Sequence, residues 1–305
     1  RTFPVPRYID ELLAFAPGGA RNTHAVPIDT PDPEHGGLPK RLSVMAAYVE
    51  VLRAKSGHRG KVGINVMWKG ALTALPTIYG AMLAGADALL CGAGVPMELP
   101  DIVRRIRAGE DLEYLPLTGT GTHVRLTISA DGTAPRLSAM PAPRMIPILS
   151  NYAFSRRIVD IWAKQHGGAR PFAFVLENHA AGGHNAPPRN KTGFTEQDDL
   201  DSYFDQVKAL GVPIYVAGAF AHGGTRRDLE AWIARGAYGL QVGSRFALCT
   251  DSGMRADLRE RIIAANATEN LRVETSTVMS PTLRSFAVVG RTCITPIAPL
   301  GFLAL

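Results

Sequence analysis

The 305-residue chain holds only three cysteines, Cys91, Cys249 and Cys293, and they neither form a CxxC pair nor cluster. So dispersed a set excludes a disulfide framework and fits a reducing, cytoplasmic compartment. The three read most simply as core or near-core thiols. A thiolate metal site is excluded too, and His179 and His184 stand five apart in a Gly/Pro-rich stretch, without the i, i+4 spacing of a helical pair. No window approaches the roughly 18 consecutive apolar residues of a membrane span. The first residues do not read as a secretory leader. No serine sits in a GxSxG elbow, which removes triad hydrolysis. Charge of one sign does not accumulate: 33 Lys and Arg face 27 Asp and Glu, for a net +6. The basic residues form small groups, such as Arg104, Arg105 and Arg107 or Arg226 and Arg227. Such groups are ordinary solvated helix surface, so no nucleic-acid partner is expected. A modest cationic excess does suit an anionic substrate or cofactor.

What remains is a chain with 46% hydrophobic and 20% charged residues, long enough for a sizeable α/β core. Short apolar runs recur at 61–68, 86–92, 144–150, 171–177, 212–218 and 238–244, mostly without strict alternation. That is the pattern of strands covered on both faces in a parallel sheet. Helical patterns lie at Tyr8–Phe15, in "KRLSVMAAYVEVLRAKSG", and then between the runs: "ALPTIYGAMLAG", "AFSRRIVDIWAKQHG", "LDSYFDQVKALG" and "TRRDLEAWIARG". Several stop at glycine, as helix C-termini do, and Thr225 to Asp228 has capping-box spacing. An insertion at about 110–142 alternates and contains Asp131-Gly132, which predicts an antiparallel ribbon. A C-terminal extension covers about 270–305. Successive βα units leave two α/β architectures open, a doubly wound sheet or a TIM (β/α)8 barrel, in one domain over 1–305.

The candidate chemistry gathers where the apolar runs end. Asn65 and Trp68, Gly92 and Gly94, Ser150, Glu177 and His184, Gly218, and Gly243 with Ser244 all follow or close a strand. These are carboxyl ends, the face on which an α/β barrel builds its site. Taken singly, Gly218 or Gly243 is ordinary turn geometry, and Trp68 is more readily packing than a substrate wall. Taken together at the last two strands, the turns "VAGAFAHGG" and "QVGSRFAL" favour a phosphate site, because small backbone lets N–H groups approach phosphate oxygens. His184 follows Gly182-Gly183, which permits close approach of a ligand, and precedes Pro187-Pro188, which limits the loop. His179 and His222 read as loop histidines.

Assembled, the stretches "VLENHAAGGHNAPPR", "VAGAFAHGG" and "GAYGLQVGSRFALCTDSG", with "INVMWKG" and "LLCGAGVP" more loosely, resemble the nitronate monooxygenase (2-nitropropane dioxygenase) family of FMN-dependent barrels over about residues 60–290. The extended "AGGHNAPPR" and "SPTLRSF" also resemble the related trans-acting enoyl reductases. The resemblance implies a TIM (β/α)8 barrel whose first two strands are missing from this chain, roughly 50–70 residues or two βα units. It implies FMN as cofactor, with Asn65 near the isoalloxazine or ribityl region and Glu177 and Gly182-Gly183 along it. Gly218 and the run Gln241-Val242-Gly243-Ser244 would enclose the phosphate, and His184 would be the catalytic histidine. The implied reaction is oxidation of alkyl nitronates with O2 to a carbonyl compound and nitrite. The alternative is reduction of an enoyl group carried by an acyl carrier protein, with NAD(P)H as donor. A non-enzyme alternative is a barrel that holds a phosphorylated ligand without turnover. A small-molecule substrate is expected, a homodimer is compatible with the family, and no membrane partner is expected. One departure stands out: Glu177 occupies a position where nitronate monooxygenases usually carry glutamine. An ionised glutamate accepts hydrogen bonds only and would oppose the charge of reduced flavin. "GTGTH" at 119–123 falls in the ribbon, outside the strand–turn–helix context of a dinucleotide motif.

Overall fold

Short apolar runs bounded by Gly or Pro become parallel strands, because each presents apolar side chains to both faces of a sheet. In the computed structural model they are β1 (Gly63–Met67), β2 (Ala88–Gly92), β5 (Arg144–Leu149), β6 (Phe174–Glu177), β7 (Ile214–Ala217) and β8 (Gly239–Gln241). The structure describes residues 3–15, 37–68, 71–114, 124–177, 195–218, 226–267, 273–276 and 286–289. Two short strands, β3 (Leu112–Tyr114) and β4 (Val124–Leu126), pair antiparallel, as do β9 (Val273–Ser276) and β10 (Phe286–Val289). The six parallel strands stand in the order β1-β2-β5-β6-β7-β8, which is chain order with the β3–β4 ribbon set aside. A doubly wound sheet reverses its strand order at a switch point. Here nothing reverses, so the winding is that of a barrel, and six of its strands are described. No helix among the described residues is long and apolar enough to cross a membrane.

The chain falls into two compact units, Arg1–Pro147 with Ile158–Phe172, and Ile148–Arg157 with Ala173–Leu305. β5 is divided between them: its first four residues pair with β2 and its Ile148 and Leu149 pair with β6.

The first unit is organised by α3 (Ala71–Leu83), which packs on α2 (Gly37–Ala54). Leu75, Ile78, Tyr79, Ala81 and Leu83 of α3 are all at or below 3% exposure, so this helix is buried on nearly every side. Gly80 allows the approach: a Cβ built there would lie 2.1 Å from the Val44 carbonyl oxygen. Tyr79 is fully buried, so its hydroxyl needs partners. It donates to Asp131 at 2.9 Å and lies 2.8 Å from the Thr133 hydroxyl. Tyr8 of α1 (Pro6–Phe15) donates to the same Asp131 at 2.7 Å, and Arg7 pairs with it. Asp131 thus ties α1 and α3 to the insertion.

That role corrects the expected ribbon turn. The antiparallel ribbon forms, but Asp131 and Gly132 do not close it. The Asp111 carboxylate accepts hydrogen bonds from the Ile128 and Ser129 N–H groups, both at 2.8 Å, and turns the chain after β4. Asp131 then ends a 3-10 turn, and Gly132 follows in the left-handed region at φ 64°. Neither α9 (Ser244–Ala247) nor α10 (Ala256–Ala267) of the second unit was anticipated, nor were two helices of the first, α4 (Leu99–Ala108) and α5 (Ala134–Ala139). Both α4 and α5 carry proline in their first turn, where the missing N–H costs nothing. α4 buries Leu99, Ile102, Val103 and Ile106 and ends at Gly109, φ 69°. Cys91 is buried as expected, whereas Cys249, just beyond the short helix α9 (Ser244–Ala247), is exposed.

In the second unit Phe174, Val175 and Leu176 of β6 are almost wholly buried. Phe204 of α7 (Phe204–Lys208) meets Trp232 of α8 (Arg226–Arg235) at a centroid distance of 5.1 Å, with the Arg235 guanidinium over both rings. The capping box expected at Thr225 begins outside the described residues.

The Gly80 contact generates a direct check. Gly80→Ala gains helix propensity, yet its methyl group must displace Val44 backbone, so the net effect is a loss of about 1–3 kcal/mol. Thermal unfolding measures it, and a variant as stable as wild type would show that α2 and α3 do not approach here.

Candidate active site

Register decides which strand-end residues become neighbours. In β6–β7–β8, Glu177 pairs with Ala217 and Ala217 pairs with Gln241. Paired residues of parallel strands point to the same side, so Glu177 and Gln241 flank the small Ala217 side chain on one face. Two strand spacings put their Cα atoms about 10 Å apart. All three close their strands at the carboxyl end.

Both long side chains are half-buried. The Gln241 side-chain oxygen is itself buried and has no hydrogen-bond partner among the described residues. The Glu177 backbone carbonyl accepts a 3.4 Å hydrogen bond from the Tyr203 hydroxyl. Burial pushes the Glu177 carboxyl up to about 8. That shift favours the protonated form at neutral pH. A neutral carboxylic acid donates one hydrogen bond and accepts others, as a glutamine amide does. The replacement of glutamine by glutamate thus preserves the donor and adds no charge.

The turns beyond supply room. Gly218 follows β7 at φ 124°, a conformation that side-chain-bearing residues rarely adopt. A Cβ at Gly243 would meet nothing within 4 Å. Space, rather than packing, surrounds that backbone. The Gly243 carbonyl accepts from the Phe246 N–H at 3.0 Å, which starts α9 with Ser244 as its first residue, and Val242 is half-buried.

Other expected positions lie in the first unit. Asn65 is exposed on β1, on the same side as exposed Gly63 and Met67. Trp68 is buried and its backbone N–H donates to the Gly92 carbonyl at 2.8 Å. A Cβ at Gly94 would come within 3.0 Å of the Trp68 ring, so Trp68 is packing and Gly94 is the backbone it packs on. Beside them Ala93 takes φ 54°, the one non-glycine residue in the left-handed region among those described. Its strain at the end of β2 had no sequence signal, since alanine is conformationally unremarkable in composition. His184, Gly182 and Gly183 lie outside the described residues, as do His179 and His222. The described segments 112–114 and 124–126 that flank "GTGTH" pair antiparallel, so it joins two strands, as read.

Residues 146–284 match the family model described as nitronate monooxygenase. The resemblance read from the motifs stands over that span, which contains Glu177, His184, Gly218 and Gln241 but not "INVMWKG" or "LLCGAGVP". The chain is also similar to the (3aS,4S,5R,7aS)-5-hydroxy-7a-methyl-1-oxo-octahydro-1H-indene-4-carboxyl-CoA dehydrogenase of Mycobacterium tuberculosis. The two are 26% identical over 211 residues, which is 63% of this chain and 56% of that protein. The chain thus spans just over half the length of this relative. Among solved structures it is similar to a FabK mutant from Thermotoga maritima, with a TM-score of 0.48, 16% identity, and coverage of 81% of this chain and 67% of that one.

The neutral carboxyl has a pH signature. Glu177→Gln keeps the shape and cannot ionise. The folded-state value of about 8 exceeds the ordinary 4.5. Wild type therefore holds its full stability below pH 4.5 and loses it, relative to the variant, as pH rises towards 8. Above that the difference is constant. Melting temperatures of both proteins across this range measure the effect, and curves that stay parallel would show that Glu177 ionises normally in the fold.

Proposed function

We propose that the protein is an FMN-dependent oxidoreductase of the nitronate monooxygenase type. The observation that carries the reading is the buried Gln241 side-chain oxygen without a partner among the described residues, on one face with Glu177 at the carboxyl ends of strands one apart in the sheet. Buried polar groups are ordinarily satisfied, so groups left waiting mark where a polar ligand completes the set. FMN fits the donor set. A neutral acid and a carboxamide supply both donors and acceptors for a heterocycle's edge and ribityl hydroxyls. Gly218 and the open space at Gly243 suit a phosphate reached by backbone.

When bound, FMN supplies the electron chemistry of the reaction. The chain supplies position, electrostatics and protons. Glu177 and Gln241 orient the cofactor's polar edge, and Gly218 with Gln241-Val242-Gly243-Ser244 holds its phosphate. His184 removes the α-proton of a neutral nitroalkane, or balances the charge of a nitronate that arrives already ionised. O2 completes the oxidation to a carbonyl compound and nitrite.

A second reading, reduction of an enoyl thioester with NAD(P)H, is favoured by two observations. Glu177 stands where nitronate monooxygenases usually have glutamine, and the similar mycobacterial dehydrogenase is named for a CoA thioester. In that reaction His184 delivers a proton to the substrate α-carbon.

Purified protein should carry or take up FMN, read as flavin absorbance, and protein that stays colourless after incubation with FMN contradicts the flavin reading. Gly218→Val should lower the retained flavin because its side chain enters the phosphate approach. Anaerobic mixing with NAD(P)H and, separately, with an alkyl nitronate distinguishes the two reactions. Rapid bleaching by NAD(P)H with turnover of an enoyl thioester selects the second. His184→Ala should lower the rate by about 10²–10⁴-fold, and full activity would remove His184 from the chemistry.

A further inference from the structure

A second opening lies on the same carboxyl-end side of the second unit. A cleft of about 500 Å³ is bounded by the amino end of α6 (Tyr152–Gln165), which follows β5, and by the 3-10 turns Glu196–Asp198 and Leu200–Ser202 with the start of α7, which follow β6. Its size is that of a small-molecule site. Tyr203 lines it and hydrogen-bonds the Glu177 carbonyl, so the cleft adjoins the strand end that holds the buried acid.

The lining has a definite chemistry. Phe154 turns a large ring to solvent at 41% exposure. Asn151, Gln197 and Gln206 surround it with carboxamides, Ser202 adds a hydroxyl, and no charged side chain lines the cleft among the described residues. The Asn151 side-chain oxygen accepts from the Phe154 N–H at 2.8 Å, capping α6, which leaves its amide NH₂ to donate. The Ser202 hydroxyl donates to the Gln197 and Asp199 carbonyls at 3.0 and 2.7 Å, so its lone pairs remain to accept. The two glutamines offer both functions. An anion finds no counter-charge among the described lining residues, and a purely apolar ligand would bury these amides unsatisfied. A flat, uncharged heterocycle with alternating donors and acceptors meets both demands, stacking on Phe154 and pairing at its edge. Carboxamides are the natural partners of the adenine N6/N7 edge, whereas guanine's O6/N7 edge is read by Arg or Lys, neither of which is among the described lining residues.

We infer that the cleft between α6 and α7 binds the adenine ring of an adenosine-bearing cosubstrate, either a coenzyme A thioester or NAD(P)H. The adenine assignment stands on the cleft alone; the role as cosubstrate rests on the flavin reading above.

The test uses FMN-saturated protein, so that the flavin site cannot accept the probe. Adenosine, guanosine and cytidine are titrated by calorimetry or saturation-transfer NMR. Saturable adenosine binding is expected, with the other two nucleosides at least tenfold weaker. Phe154→Ala should weaken adenosine about tenfold or more, since loss of one base–aromatic stack has that size. Gln206→Ala, at an exposed position, should weaken it as well, while both variants retain wild-type flavin content. No saturable binding, equal binding of guanosine, or affinity unchanged by Phe154→Ala overturns the inference. Coenzyme A and NADPH are then competed against adenosine, and whichever displaces it identifies the source. If neither does, the cosubstrate role is overturned. Protein that takes up no FMN yet binds adenosine through Phe154 would refute the flavin reading and leave the cleft assignment intact.

Discussion

The account depends on one constraint, the register of three parallel strands that sets Glu177, Ala217 and Gln241 side by side at their carboxyl ends. A buried amide or carboxyl without a partner costs on the order of 1–3 kcal/mol. The Gln241 side-chain oxygen, on one face with Glu177, is such a group, a standing cost that folding alone does not explain. A ligand that completes its hydrogen bonds does explain it. The small Ala217 between them keeps the face open, and Gly218 lets the chain leave β7 without a side chain in the way.

Protonation links this geometry to chemistry. A charged glutamate at position 177 would repel a reduced, anionic cofactor and could not donate a hydrogen bond. Burial removes both objections, because desolvation penalises the charged form and leaves a neutral acid at physiological pH. The glutamine usual in nitronate monooxygenases and the glutamate here are then electrostatic equivalents at neutral pH that part company in alkaline solution.

Much of the fold was legible because its strands are buried on both faces. A run such as Phe174–Leu176 has few alternatives, and all six parallel strands fall inside the apolar runs that predict them. Where proline opens a helix, as at Pro100 and Pro135, the same residue that usually breaks periodicity concealed α4 and α5. Asp131-Gly132 misled for a related reason. The pair reads as a hairpin turn locally, but the buried Tyr8 and Tyr79 hydroxyls claim the carboxylate, a contact more than 50 residues away that no local pattern contains. At the site, positions were legible and states were not. Glu177, Gly218 and Gln241 follow from where strands end. The neutrality of Glu177, the strain at Ala93 and the cleft beneath Phe154 arise from packing between segments distant in sequence.

The central claim is that Glu177 is held uncharged beside Gln241 at neutral pH. Carbon NMR of the protein labelled at glutamate side chains, titrated with pH and assigned through Glu177→Gln, reads that state at the atom concerned. The account predicts a carboxyl resonance that titrates near pH 8, far above the ordinary 4.5 of a glutamate. A Glu177 carboxyl that titrates near the ordinary 4.5 would mean a solvated, charged strand end, and the proposed cofactor ledge would not exist as described.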